Sequence, residues 1–543
     1  MRRKTHEVAN QPPPLVDIDL WNGDPTLRAA ALREGGAGVS AADAALSAFG
    51  TRLGSATTQL QAAQANENPP KLRTHDRFGH RIDEVEYHPS YHALLELSVE
   101  HGLAGAAWSG GPGAHVARAA GMLLASQVEF GHLCPVSMTY SAVPALRRQP
   151  ELLASWGPHI VAGKYDPRFA PAAEKAGVLV GMAMTEKQGG SDVRANSTAA
   201  EPDGDGFRLT GHKWFCSAPM SDAFLVLAQR PAGVTCFFLP RFTPDGARNA
   251  FFIQRLKDKL GNRSNASSEI ELDGAWAWRI GDDGRGVPTI VEMVNHTRLD
   301  CVLGSAGLMR AAAAQALHHA RHRAAFGRRL VEQPLMKNVL ADLRLEAEAA
   351  MLLALRLSAT YEEQERGDPH RTLRRIATAV AKYWVCKRAP GMVAEALECH
   401  GGNGYVEESP LPRIYREAPL NSIWEGSGNV ICLDVLRAMA REPGSFEALL
   451  EEIGRARGAD RRFDAFLARI ERDRPSPESM EIEARRHVER LALALMASLL
   501  LRHAAPALAD AFCAGRLEDR GAVYGTLPAG VDLDAIVTEA PPR

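Results

Sequence analysis

Between Phe207 and Asp273 the chain gives up the helical hydrophobic period that governs most of its length and breaks into short β-type runs. Phe224-Leu225-Val226-Leu227-Ala228 and Thr235-Cys236-Phe237-Phe238-Leu239 are continuous apolar runs, and Glu269-Ile270-Glu271-Leu272-Asp273 alternates with period two. Gly, Pro and Asp punctuate them, which predicts an antiparallel β-domain. On both sides the helical pattern holds. Ala41–Leu60 and Tyr91–Glu100 are rich in Ala and Leu, with a loop at Asn66-Glu67-Asn68-Pro69-Pro70. Leu335, Val339, Leu343, Ala347, Met351 and Leu355 recur every four residues as one apolar stripe for core packing. The expectation is a mainly α protein with a central antiparallel β-domain. Residues 1–180 form a helical domain behind an irregular, proline-rich entry, 181–285 the β-domain, 286–440 a second helical domain, and 441–543 a helical extension with a Pro475-Ser476-Pro477 break.

Composition narrows the class. A chain of 543 residues can bury a large core, and 45% apolar with 24% charged residues is ordinary for a globular protein. The net charge of −2 gives no global attraction to nucleic acid or to an anionic membrane. Eight scattered Cys without a CxxC pair, and an N-terminus that leads from Met1-Arg2-Arg3-Lys4 into Gln11-Pro12-Pro13-Pro14 without an apolar core, predict reduced thiols in a cytoplasm. The longest greasy run, Leu491 to Leu501, is shorter than a membrane span, and no metal site is expected.

One loop reads either as a plain turn or as a carrier of chemistry. In Asn421-Ser422-Ile423-Trp424-Glu425-Gly426-Ser427-Gly428-Asn429 a single carboxylate stands between an aromatic residue and glycine. Such a Glu can enter a cleft and lose solvent there, which raises its pKa toward that of a useful base.

Together with Met182-Ala183-Met184-Thr185-Glu186-Lys187-Gln188-Gly189-Gly190-Ser191-Asp192, this loop resembles the acyl-CoA dehydrogenase family. The likeness continues through Gly211-His212-Lys213-Trp214-Phe215-Cys216-Ser217, Lys259-Leu260-Gly261, Arg323-Ala324-Ala325-Phe326-Gly327 and Gly401-Gly402-Asn403-Gly404, in the family's order. The wording of several stretches is similar to the AidB branch of bacterial alkylation-response flavoproteins. The resemblance implies the family's fold (helical domain, β-barrel, four-helix domain), here with a helical C-terminal extension, an FAD cofactor and a homotetramer. It also implies α,β-dehydrogenation of an acyl thioester, with Glu425 as the base and hydride passing to the flavin. The place from which the isovaleryl-type branch supplies its base, Asn295-His296-Thr297-Arg298, offers no carboxylate.

By the same resemblance Met182, Met184, Thr185, Gly190 and Ser191 hold the isoalloxazine and part of the pyrophosphate. Cys216, Ser217 and Ala218 lie along the ring, with the Ser217 hydroxyl toward N5 and Phe215 in place of a stacking Trp. Ile423, Ser427 and Asn429 flank the base at flavin-contacting positions. Arg323 and Phe326 reach the pyrophosphate of a neighbouring subunit, and Gly401 and Gly402 lie against the adenosine half. The family's Gln after the Arg-x-x-Phe-Gly motif falls on Pro334 here, with Gln333 one position early. Trp214, Trp424, His296 and Arg298 are large or polar near the expected pocket and point to a narrow acyl channel or to none, and each reads equally as a packing residue.

The AidB likeness also brings double-stranded DNA into view. Residues 441–543 hold 15 Arg, no Lys and 18 acidic residues, a net −3, so the region is not basic overall. Residues 455–474 nevertheless carry seven Arg against four acids, which reads from the residues alone as a helical surface with internal ion pairs or as a phosphate-binding cluster, with Arg455, Arg457, Arg461 and Arg462 the candidate contacts. Two alternatives to an acyl-CoA dehydrogenase stay open: a DNA-binding protective flavoprotein with little turnover, and a flavin oxidase acting on a substrate without CoA.

Overall fold

The computed structural model describes residues 5–362, 368, 370–473 and 479–538. The Pro475-Ser476-Pro477 break, Arg474 and Met1 to Lys4 lie outside the described residues.

The N-terminal part is helical, as its Ala and Leu content predicts: α1 (Pro25–Gly54), α2 (Ala56–Glu67), α3 (Pro89–Glu100), α4 (Ala114–Ser126), α5 (Leu133–Leu146) and α6 (Pro150–Val161). Asp24 caps α1, and Ser55 ends it and caps α2. Gly36 kinks α1 at φ 52°, a left-handed conformation open to glycine. A hairpin, β1 (Lys71–His75) and β2 (Arg81–Glu86), interrupts this region beyond the predicted loop. Its half-exposed pattern carries too few apolar residues to announce itself in sequence.

Seven strands form the β-domain: β3 (Val180–Ala183), β4 (Ala199–Asp203), β5 (Gly206–Ser217), β6 (Ala223–Arg230), β7 (Gly233–Pro240), β8 (Phe251–Leu256) and β9 (Ser267–Ile280). They run in the order β3-β6-β4-β5-β9-β7, with β8 on β9, and the further pairing of β6 with β7 closes the ring into a barrel. Most pairs are antiparallel, while β3–β6 and β4–β6 are parallel. The barrel explains why β6 and β7 are apolar throughout rather than alternating. Phe224, Val226, Phe237 and Leu239 fill its interior. Leu225, Leu227 and Phe238 face out onto Val143, Trp156 and Met293 of the flanking helices. Each such fully buried side chain contributes roughly 1.5–3 kcal/mol.

The chain then turns helical again: α7 (Gly286–His322), a tight hairpin β10 (Ala324–Ala325) and β11 (Arg328–Arg329), α8 (Pro334–Ala359), α9 (Arg371–Glu398), α10 (Pro410–Glu417) and α11 (Gly428–Arg441). Helices α7, α8, α9 and α11 pack into a bundle. The predicted stripe on α8 is buried from Leu343 onward, but Leu335 is 84% exposed because the first turn of α8 projects past the bundle. The extension is helical as expected, with α12 (Ser445–Gly454), α13 (Arg461–Arg472), α14 (Met480–His503), α15 (Pro506–Phe512) and α16 (Leu533–Thr538). The Leu491–Leu500 run lies buried in the core along α14. No helix among the described residues is long and apolar enough to cross a membrane.

Domains meet through polar contacts as well as core. Gly261 lies so close to the Arg416 carbonyl that a Cβ would stand 2.3 Å from it. Next to it, Asn262 donates from its backbone and side chain to Glu417 at 2.6 and 2.7 Å, tying the loop before β9 to α10.

Candidate active site

Glu425 sits between α10 and α11 in the left-handed region, φ 60°, followed by Gly426 at φ 104°. A non-glycine residue there costs about 1–2 kcal/mol, so the surroundings must fix it. They do so through its backbone. Arg298 on α7 donates from Nε to the Glu425 carbonyl at 3.0 Å and from Nη1 to Asp434 at 2.8 Å. Lys382, buried at 1% exposure on α9, donates to the carbonyls of Trp424 and Gly426. Trp424 Nε1 donates to Asn421, which in turn donates to Ser305. The buried carboxylate oxygen Glu425 Oε2 has no hydrogen-bond partner among the described residues. Burial raises the pKa of this carboxyl, against the opposing Thr297 hydroxyl and the charges of Arg298 and Lys382.

The loop after β3 faces this segment. Met182, Met184 and Trp424 pack against one apolar cluster, which brings the β-domain loop and the Glu425 loop together. Trp214 donates from its backbone to the Thr185 carbonyl at 2.8 Å, and Asn196 donates to that of Met184 at 2.7 Å. Beneath the loop Lys213 donates to Glu186 at 2.7 Å, with both side chains fully buried. Despite the burial, Lys213, Thr198 and the Ser197 N–H hold the Glu186 carboxyl down to about 2. Breaking such a pair costs about 3–5 kcal/mol, because it strands a buried charge. Gly190 and Ser191 are exposed on the outer turn.

At the end of β5, Phe215 is 50% exposed while the Cys216 side chain points into the barrel core. The Cys216 carbonyl accepts from the Ser268 hydroxyl at 3.0 Å. Ser217 Oγ lies 3.3 Å from Ser267 Oγ, which accepts from Lys259 Nζ at 3.0 Å. Burial lowers the Lys259 ammonium to about 8. Ala218 holds φ 48°, a second left-handed non-glycine residue at this site. Ile423 is 62% exposed beside the base, while Ser427 and Asn429 are exposed at the start of α11. This arrangement fits an isoalloxazine: exposed apolar faces at Phe215 and Ile423, hydroxyls at Thr185 and Ser217, and an unpartnered carboxylate oxygen.

Behind Thr297, the His296 imidazole lies among Trp108, Tyr140 and Tyr361, with ring centroids 5.5, 5.7 and 4.9 Å away. Burial lowers its pKa to about 3, so the ring is neutral.

Arg323 ends α7, and Phe326, at φ 53°, is 97% exposed at the tip of the β10–β11 hairpin. Gln333 donates to the Ala325 carbonyl at 3.0 Å, so it supports the hairpin that Pro334 could not bond. Gly401 and Gly402 are exposed, and the neighbouring His400 ring packs at a tilt against His319 of α7, with centroids 4.5 Å apart. The hairpin and the glycine turn therefore lie at the same outer end of the bundle.

The C-terminal arginines are largely engaged. Arg455 pairs with Glu452 at 3.1 Å, Arg457 with Glu471, and Arg462 with Asp460 and Asp510 at 2.6 and 2.7 Å. Arg461 is exposed at the first turn of α13. All eight cysteines are free and buried, and no cluster of metal-ligating side chains occurs among the described residues.

Lys382 was invisible as a functional residue in sequence. Its signal is a lone Lys inside the apolar run Ala379-Val380-Ala381-Lys382-Tyr383-Trp384.

Comparison with known proteins bears on the whole chain. Residues 10–167 match the adaptive response protein AidB N-terminal domain, 181–275 the acyl-CoA dehydrogenase middle domain, and 284–440 its C-terminal domain. The chain is 44% identical to the AidB protein of Escherichia coli K12 over 96% of both chains. It is 34% identical to acyl-CoA dehydrogenase family member 11 of Caenorhabditis elegans over 73% of this chain and 66% of that one. The crystal structure of C. elegans ACDH-11 with C11-CoA superposes with a TM-score of 0.85 at 28% identity, covering 100% of this chain and 94% of that one. With this barrel, this bundle and these matches, the chain belongs to the acyl-CoA dehydrogenase family, FAD-binding oxidoreductases acting on CH–CH groups, and carries an AidB-type N-terminal domain.

Proposed function

We propose that this protein is an FAD-dependent dehydrogenase of an acyl-CoA thioester. The observation that carries the reading is the buried, unpartnered Oε2 of Glu425 in a loop fixed by Arg298 and Lys382. Met182, Met184, Thr185, Gly190, Ser191, Cys216, Ser217, Ala218, Ile423, Ser427 and Asn429 would hold the flavin half of FAD. Arg323, Phe326, Gly401 and Gly402 would meet the adenosine diphosphate half bound by a neighbour. FAD, when bound, supplies the acceptor for the β-hydride. Glu425 takes the α-proton onto its carboxylate, and its raised pKa makes it a stronger base than an exposed Glu. Lys213 and Glu186 keep the flavin loop in register with the base. The test is anaerobic mixing of the FAD-loaded protein with saturated acyl-CoA esters of graded length. Bleaching of the flavin by any of these esters supports the reading, and no bleaching by any ester overturns it. Reoxidation by dioxygen as fast as by an electron carrier would favour the oxidase alternative.

Exposed apolar side chains at Phe326, Leu335 and Tyr405 lie by the hairpin and the glycine turn. They support a homo-oligomer, a tetramer by family likeness, which sedimentation would test. Buried free thiols support a cytoplasmic site. A second reading, association with duplex DNA in the alkylation response, is supported by the AidB-type domain and by Arg455 and Arg457, whose side chains are half exposed in the turn between α12 and α13.

A further inference from the structure

The segment before α1 runs from Thr5 to Asp24 without helix or strand and lies across the outer end of α7. Its centre is Asn10, at φ 57°, a left-handed conformation that Asn tolerates better than most residues. The Asn10 side chain reads one peptide unit in both directions. Its Nδ2 donates to the Ala324 carbonyl at 2.8 Å, and the Ala324 N–H donates to its Oδ1 at 2.7 Å. Its own carbonyl accepts from Arg323 Nη1 at 2.6 Å. Next along the strap, Asn403 of the glycine turn donates to Gln11 Oε1 at 3.5 Å, and His318 Nε2 donates to the Pro13 carbonyl at 2.8 Å. Three consecutive contacts thus tie together α7, the hairpin and the glycine turn, two of them motifs separated by nearly 80 residues of sequence.

We infer that Asn10 is a positioning residue: the N-terminal strap holds Arg323 and the Gly401–Gly404 turn in one fixed arrangement, as the half-site this subunit offers to the adenosine diphosphate portion of a neighbour's FAD. The inference rests on the cross-subunit reading of Arg323 given above. A guanidinium has five N–H donors in a planar fork. One N–H spent on the Asn10 carbonyl fixes the plane of that fork and leaves the others for phosphate oxygens. A free Arg323 on an exposed hairpin would lose side-chain entropy on binding, and the strap removes part of that loss beforehand.

The experiment titrates the full-length apoprotein with FAD and, separately, with FMN, which lacks the adenosine half. Asn10→Gly keeps the left-handed backbone and removes only the two side-chain hydrogen bonds. It is expected to weaken FAD retention about tenfold while FMN binding and the thermal midpoint of the apoprotein stay unchanged. Asn10→Asp, which still accepts from Ala324 but cannot donate, falls between. In an Arg323→Ala background, Asn10→Gly adds no further loss, because Asn10 acts through that side chain while the glycine turn is bonded by Gln11. If Arg323→Ala weakens FAD retention but Asn10→Gly binds as wild type, the inference is overturned and the cross-subunit reading stands. Additive losses, or an equal loss for FMN, also overturn it, because they mark general loosening. If Arg323→Ala itself keeps FAD at wild-type affinity, the cross-subunit reading falls and the inference with it.

Discussion

Arg298 holds Glu425 by its backbone carbonyl, 3.0 Å from Nε, and spends Nη1 on Asp434, so that the carboxylate oxygen Oε2 stays buried and unpartnered. Lys382 repeats the device on the carbonyls either side. Two cations thus fix the loop without forming a direct ion pair with its acid. A direct pair would drive the carboxyl pKa down and remove its basicity. Cations held one peptide unit away moderate the cost of burial and leave the pKa raised.

Glu425→Gln is therefore expected to bind FAD normally and lose flavin reduction by acyl-CoA by about 10²–10⁴-fold. It should also be the more stable protein. A carboxyl whose folded pKa stands above its unfolded value binds its proton more tightly in the native state, so its ionisation destabilises that state as pH rises past the ordinary 4.5. The thermal midpoint of the variant minus that of the wild type should be positive at neutral pH and shrink toward zero below pH 4.5. An equal or lower midpoint for Glu425→Gln at pH 7 would show that the carboxyl is not held at a cost.

Lys382→Met removes two charge-assisted bonds from a buried position and strands the carbonyls of Trp424 and Gly426. Such bonds are worth about 1.5–3 kcal/mol each. The variant should lose several degrees in thermal midpoint and lose turnover more than acyl-CoA affinity, because the base is misplaced rather than the binding surface. Wild-type turnover in a folded Lys382→Met protein would remove this residue from the positioning of Glu425.

The β-domain was legible because β6 and β7 are apolar on both faces, and the Glu425 loop stood out as a lone carboxylate between Trp424 and Gly426, its role as base resting on the family resemblance. The residues that position them were not. Lys382 acts through backbone carbonyls, which carry no sequence signature, and it sits in a helical run that reads as core. Asn10 bonds the peptide of Ala324 across 314 residues. The β1–β2 hairpin was hidden by its charged strands, and the exposure of Leu335 by the periodicity that it shares with buried neighbours.

Acid stability has a separate source. Glu129 at the start of α5 is buried, accepts from His132 Nδ1 and from the N–H groups of Gly131 and His132, and also accepts from Ser264. Burial alone would raise its pKa, but these donors hold it down to about 2. With the folded value below the ordinary 4.5, its contribution is fully present above pH 4.5 and is lost as pH falls toward 2. Glu129→Gln should be less stable at pH 7, and its stability should fall less steeply than that of the wild type between those limits in urea melts. Parallel pH profiles for the two proteins would count against this assignment.

The arginines of the α12–α13 turn and of the first turn of α13 allow a graded test of DNA association. Each phosphate neutralised releases counterion and adds about −0.9 to the slope of log affinity against log salt. Arg461 is exposed at the start of α13, and Arg455 and Arg457 are half exposed beside single acids, whereas Arg462 is held by both Asp460 and Asp510. A phosphate must compete with two carboxylates for Arg462 and with one or fewer for the others. Arg455→Ala, Arg457→Ala and Arg461→Ala should therefore each flatten the salt dependence of duplex binding, measured by fluorescence anisotropy. Arg462→Ala should instead lower the thermal midpoint with little change in slope, because its charge serves the contact between α13 and α15. The flavin spectrum should be unchanged in all four, since the flavin motifs end before α12. Equal slopes for the wild type and the first three variants, or no binding at low salt, would leave these arginines as internal ion pairs of a helical extension.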